Sequence, residues 1–77
     1  MKNPLKELMK ERGWTYADLS SVGQISMSTI YKIREGESKK IHKNIINLVE
    51  AIGEDPEKFK KDYREFRKDK RKRLLRQ

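Results

Sequence analysis

Cations are the side chains best equipped for chemistry in this sequence. Of 77 residues, 20 are Lys or Arg, 12 are Asp or Glu and one is His, for a net charge of +8. Between Lys60 and Gln77 ten Lys or Arg stand against three acids, whereas residues 1–59 hold ten against nine. The excess charge therefore lies at the C-terminal end. A dense cationic run suits a polyanionic partner, nucleic acid before membrane, or else forms a solvated tail. Other chemistries lack their parts. The chain has no cysteine, which removes disulfides and Cys-ligated zinc or iron–sulfur sites. A single His42 cannot build a His-rich metal site or a nucleophile–base pair. Glu50, Glu54 and Asp55 cluster as a helix-end and capping group without a matching base. No enzyme activity, metal or cofactor is expected.

A second chemical surface lies in Thr15–Gly36, which reads TYADLSSVGQISMSTIYKIREG. Two short helices, capped by Thr15 and Ser26, are joined there by a tight turn. Leu19, Ser20, Gly23, Ile25, Ile30 and Ile33 face inward, and the small Ser20 lets the helices approach closely where they cross. Met27, Ser28, Tyr31 and Lys32 are left on the outer face of the second helix. This is the helix-turn-helix arrangement, whose second helix lies in the major groove with its N-terminal residues at base edges.

The rest of the chain must hold that surface in place. Asn3 caps a first helix, with Pro4 at its opening position. Leu5, Leu8 and Met9 form its apolar stripe, and Gly13 ends it. Thr15 with Asp18 resembles a capping box and opens a second helix, with Leu19 and Val22 inward and Gly23 interrupting it. Ser26 opens Met27 to Arg34, and Gly36 stops it. After a polar loop, Glu37 to Lys40, the spacing of Ile45, Leu48, Val49 and Ile52 predicts a fourth helix over 41–52. Gly53 closes that helix, and Asp55-Pro56 starts a fifth. Phe59, Tyr63 and Phe66 continue the fifth helix at i, i+4, i+7, with Leu74 further along the same face. Nothing reads as a strand. The expected fold is all-α: a compact four- to five-helix bundle with a helix-turn-helix over residues 1–59. A basic, partly helical C-terminal extension follows over residues 60–77.

The ordered set Leu5, Leu8, Gly13, Trp14, Thr15, Leu19, Ile25, Ser26, Ile30, Ile33 and Gly36 resembles the Cro/phage-repressor (XRE-like) helix-turn-helix family. The likeness covers about residues 4–59, including the Ala51-Ile52-Gly53 stop and Phe59. Four positions depart from the family's pattern. Tyr16 replaces a Gln that often binds phosphate, Ser20 an Ala, Gln24 the turn Gly, and His42 a buried Leu. A left-handed Gln24 would cost on the order of 1 kcal/mol relative to Gly; alternatively the turn is remodelled around Gly23. Carried over by position, the resemblance implies base contacts from Met27, Ser28 and Lys32, with Tyr31 beside them on the same face. Lys32 suits guanine O6/N7, Ser28 either kind of base edge, and Met27 a thymine methyl. Phosphate contacts fall to Thr15, Tyr16 and Ser26 at helix N-termini, and to Lys39, Lys40 and Lys43 in and after the loop. Trp14 is expected in the core.

The extension has three readings: a basic arm on DNA phosphate, a dimer seam through Tyr63, Phe66 and Leu74 beside Phe59, or a surface for a protein partner. A seam with a basic outer face combines the first two. The expected function is sequence-specific recognition of double-stranded DNA by a transcriptional regulator, a repressor acting as a homodimer on a palindromic operator. The alternative is an antitoxin-like protein-interaction module with DNA binding secondary. No apolar run exceeds two residues, far short of the ~20 a membrane span needs, so a soluble, cytoplasmic protein is expected.

Overall fold

The computed structural model describes residues 2–76; Met1 and Gln77, the outer ends of the two expected segments, lie outside them. Five helices run in the order α1 (Pro4–Arg12), α2 (Tyr16–Gly23), α3 (Met27–Arg34), α4 (Lys43–Ala51) and α5 (Pro56–Leu75). No described residue is in a strand. The fold is all-α, as the punctuation of the sequence predicts.

Local chemistry sets each helix start. The Asn3 side chain accepts from the amides of Leu5 and Lys6 at 2.9 and 3.2 Å. Its Nδ2 donates to Ile33 O at 2.9 Å. One buried amide thus satisfies the orphan donors of α1 and ties that helix to the end of α3. Thr15 and Asp18 form a reciprocal capping box. Ser26 accepts from Thr29 N, and Asp55 from Glu57 N and Lys58 N. His42, where the resemblance implies a buried Leu, is an exposed cap whose Nδ1 accepts from Asn44 N at 3.0 Å. α4 therefore begins two residues later than the apolar pattern suggests, and Ile41 lies in the loop, half-buried.

α2 packs on α3 and α4, α1 on α3 and α5, and α4 on α5. Between them lie Leu5, Leu8, Met9, Leu19, Ile25, Ile30, Ile33, Ile45, Val49, Phe59 and Tyr63. Burying each such side chain stabilises the fold by roughly 1.5–3 kcal/mol. Trp14 is half-buried at the rim of this cluster. Val22, expected inside, is 70% exposed. The inner face of α2 runs instead through Leu19 and Gly23. A Cβ on Gly23 would lie 3.1 Å from Ile25 Cδ1, so that position closes the face and Val22 falls beside it.

α5 passes residue 59 without a break. Tyr63, one turn beyond Phe59, is 1% exposed and belongs to the core. The core thus continues past the expected boundary, and the first half of the extension is part of the same packed unit.

Candidate nucleic-acid interface

The turn between α2 and α3 fixes how α3 is presented. Gln24 adopts the left-handed conformation, φ 53°, ψ 47°. The turn therefore keeps its place and is not remodelled around Gly23. Ile25 N donates to Ser20 O at 3.3 Å, and Asn44 Nδ2 donates to Gly23 O at 2.8 Å. Ile25 is buried immediately before the Ser26 cap. These contacts hold the N-terminal end of α3 against α2 and α4.

On α3, Ile30 and Ile33 are fully buried, while Met27, Ser28, Tyr31 and Lys32 are exposed. An apolar methyl-bearing chain, a hydroxyl, a phenol and an ammonium thus share one open face. Met27 is 56% exposed and Tyr31 50%. That combination matches what base edges offer in a major groove, namely acceptor pairs and thymine methyls.

Tyr16 joins this surface from the start of α2. Its ring lies 6.4 Å from that of Tyr31, tilted by 45°. Arg34 stacks over the Tyr16 ring at 5.3 Å and donates through Nη1 to the Tyr16 hydroxyl. The oxygen is thereby occupied as an acceptor while its own proton remains free to donate to a phosphate oxygen. Arg34's place on this surface is not evident from its position in the sequence. Its signal there was only a cation at the last turn of α3, which equally fits a helix-dipole role.

Thr15 is exposed at the N-terminus of α2, and Ser26 at that of α3. Their hydroxyl oxygens accept from backbone amides, and the Ser26 oxygen lies 2.8 Å from Thr29 Oγ1. Lys39, Lys40 and Lys43 are exposed in the connection from α3 and at the start of α4. That connection is rigidly tied to α3, with Glu37 N and Ser38 N both donating to Lys32 O, at 2.8 and 3.3 Å.

The expected dimer residues separate. Tyr63 is sealed in its own chain's core and donates its hydroxyl to Ser38 O at 2.6 Å. It therefore offers no surface to a second copy. Burial pushes its phenol above the usual tyrosine range, only partly offset by the charge of Arg67. Phe66 is half-buried, its ring lying against Gly36. Leu74 is exposed, as is its neighbour Leu75. No helix is long and apolar enough to cross a membrane among the described residues.

A family model described as a Cro/C1-type HTH DNA-binding domain matches residues 4–52. The chain belongs to this family. No curated protein and no solved structure matches it. The Cro/C1-type match spans α1 to α4 and includes every expected base- and phosphate-contacting residue. It identifies the chain as a DNA-binding protein of the transcription-regulator kind, and α5 lies beyond the matched segment.

Proposed function

We propose that the protein is a sequence-specific transcriptional repressor that occupies a palindromic or pseudo-palindromic operator as a homodimer. The observation carrying this reading is the open face of α3: Met27, Ser28, Tyr31 and Lys32 exposed beside a capped helix start in a Cro/C1-type domain. In this reading Lys32 donates to guanine O6/N7, Ser28 bonds a base edge, and Met27 meets a thymine methyl with Tyr31 beside it. Thr15, Tyr16, Ser26, Lys39, Lys40 and Lys43 hold phosphates and set the register. The exposed Leu74 and Leu75 supply the apolar part of the seam between copies. Repression follows from occupancy, since a bound operator excludes polymerase.

Selection of binding sites from a random duplex library, using the full chain, tests this reading. The expected product is an inverted repeat with half-sites about 34 Å apart, one helical turn. Lys32→Ala should relax preference at one or two positions per half-site, costing about 1–3 kcal/mol. An unchanged base preference would remove Lys32 from the reading set.

A second reading, a module that binds another protein through its C-terminal end, is favoured by Leu74 and Leu75 standing exposed beyond the core. A stoichiometric protein that co-purifies with the full chain, and is lost when residues 71–77 are deleted, would favour it over the homodimer.

A further inference from the structure

The connection after α3 and the middle of α5 border an open pocket of about 300 Å³. It is lined by Lys39, Lys40 and Ile41 from the loop, by Ile46 from α4, and by Lys60, Tyr63 and Arg64 from α5. No acid lines it. Lys60 and Arg64 are one helical turn apart and share a face of α5. Lys60 has a carboxylate nearby, Glu57 at 3.5 Å, but the two side chains are 41% and 81% exposed; such a surface pair holds weakly. Among the described residues, no carboxylate pairs with Lys39, Lys40 or Arg64.

The cluster is also preorganised. Ser38 is held three ways: its amide donates to Lys32 O, its hydroxyl to Lys40 O at 2.6 Å, and its carbonyl accepts from Tyr63. Those bonds fix the loop lysines against α5 at the point where the chain leaves α3. Four cationic side chains around one pocket attract an anion to it. Surface continuity favours duplex DNA as the source of that anion, because the loop follows directly from the proposed base-reading helix.

We infer that Lys39, Lys40, Lys60 and Arg64 form a single site for backbone phosphates of duplex DNA, flanking those held at the helix N-termini. Its α5 half lies outside the family match. The site rests on the reading that the chain binds duplex DNA, and it adds affinity without reading sequence.

The test is a salt titration of the full chain and its Lys60→Gln/Arg64→Gln variant. Binding is followed by fluorescence anisotropy on the selected duplex and on a scrambled duplex of equal length. Losing two phosphate contacts should make the slope of log K against log salt shallower by about 1.8. Between 50 and 200 mM salt, the variant should therefore lose about tenfold less affinity than the parent. Both duplexes should weaken alike, with base preference intact. An unchanged slope overturns the site, as does a loss confined to the selected duplex. Tighter binding to an RNA hairpin with the same slope change overturns the assignment to DNA. Should the double variant unfold, the two single variants replace it, each expected to shift the slope by about 0.9. Sequence reading is scored separately. A parent chain that cannot tell the two duplexes apart sinks the repressor reading, while the slope difference still reports the phosphate site.

Discussion

Gln24 and Gly36 occupy the same side of backbone space with opposite consequences. Gln24 sits at φ 53° without the freedom of glycine, so Gln24→Gly should stabilise the fold, by up to about 1 kcal/mol. A higher urea midpoint with an unchanged m-value is the expected result. At Gly36 a side chain fails twice: φ is 76°, and a Cβ would lie 2.6 Å from Phe66 Cε1. Gly36→Ala should destabilise by at least about 1–2 kcal/mol, with the lower midpoint read in the same urea titration. Tyr63 makes a separate prediction in alkali. Burial raises its folded pKa above the ordinary tyrosine value. The unfolded phenol therefore ionises first. Tyr63's stabilisation is complete below about pH 10 and is lost as pH rises through the raised folded value. Urea midpoints measured from pH 8 upward should fall more steeply for the parent than for Tyr63→Phe. Parallel curves would show that the phenol is not coupled to folding.

At the scale of elements, α5 acts as a strap across the exit of α3. Tyr63, Arg67 and Lys70 share one face, and they donate to the carbonyls of Ser38, Gly36 and Glu35 respectively. Carbonyls at a helix C-terminus carry partial negative charge, so Arg67 and Lys70 both satisfy them and complement the dipole. Arg67→Gln with Lys70→Gln should loosen the segment without unfolding the core. Amide hydrogen exchange at Glu37 and Ser38 is expected to quicken while Ile30 and Ile33 stay protected. Equal exchange in parent and variant would mean the strap carries no local stability. Little of this arrangement was legible beforehand. The helix starts were, because Asn3, Thr15, Ser26 and Asp55 each announce a cap by type and spacing. The stripe of Phe59, Tyr63 and Phe66 fixed a helix but not its neighbour, since the same period serves a core face and a dimer seam. Val22 is a similar case: its spacing from Leu19 permits burial, and only the close approach at Gly23 shows which residues close the face. The outer face of α3 was readable because its polar and apolar residues are what remain after Ile30 and Ile33 turn inward. Arg34 and the α5 cations were not, since a cation on a helix carries no mark of which carbonyl or ring it will meet.

For the molecule as a whole, the division between packed core and free charge falls within α5, not at its start. Cutting after residue 59 would remove Tyr63, and filling that place with solvent forfeits roughly 3–5 kcal/mol of packing, on the scale of large aromatic truncations. A domain of this size has only about 4–12 kcal/mol in reserve, at 0.05–0.15 kcal/mol per residue. The three bonds from Tyr63, Arg67 and Lys70 to the α3 exit would go as well. A chain ending at residue 59 should therefore be largely unfolded by circular dichroism, and its failure to bind DNA would say nothing about charge. A chain ending at Lys70 keeps every core residue and the strap, while its net charge falls from +8 to +4 with Arg71, Lys72, Arg73 and Arg76 removed. It should show a cooperative thermal transition and retain the parent's base preference within a half-site, although it lacks Leu74 and Leu75 and with them the apolar part of the proposed seam between copies. Its affinity for all duplexes should fall, more at low salt than at high, as expected for the loss of cations acting on phosphate, and its preference for two half-sites at fixed spacing should weaken with the seam. If that shortened chain lost its base preference while remaining folded, the last turns of α5 would be helping to aim α3, and the terminal cations could not be treated as a separate source of affinity.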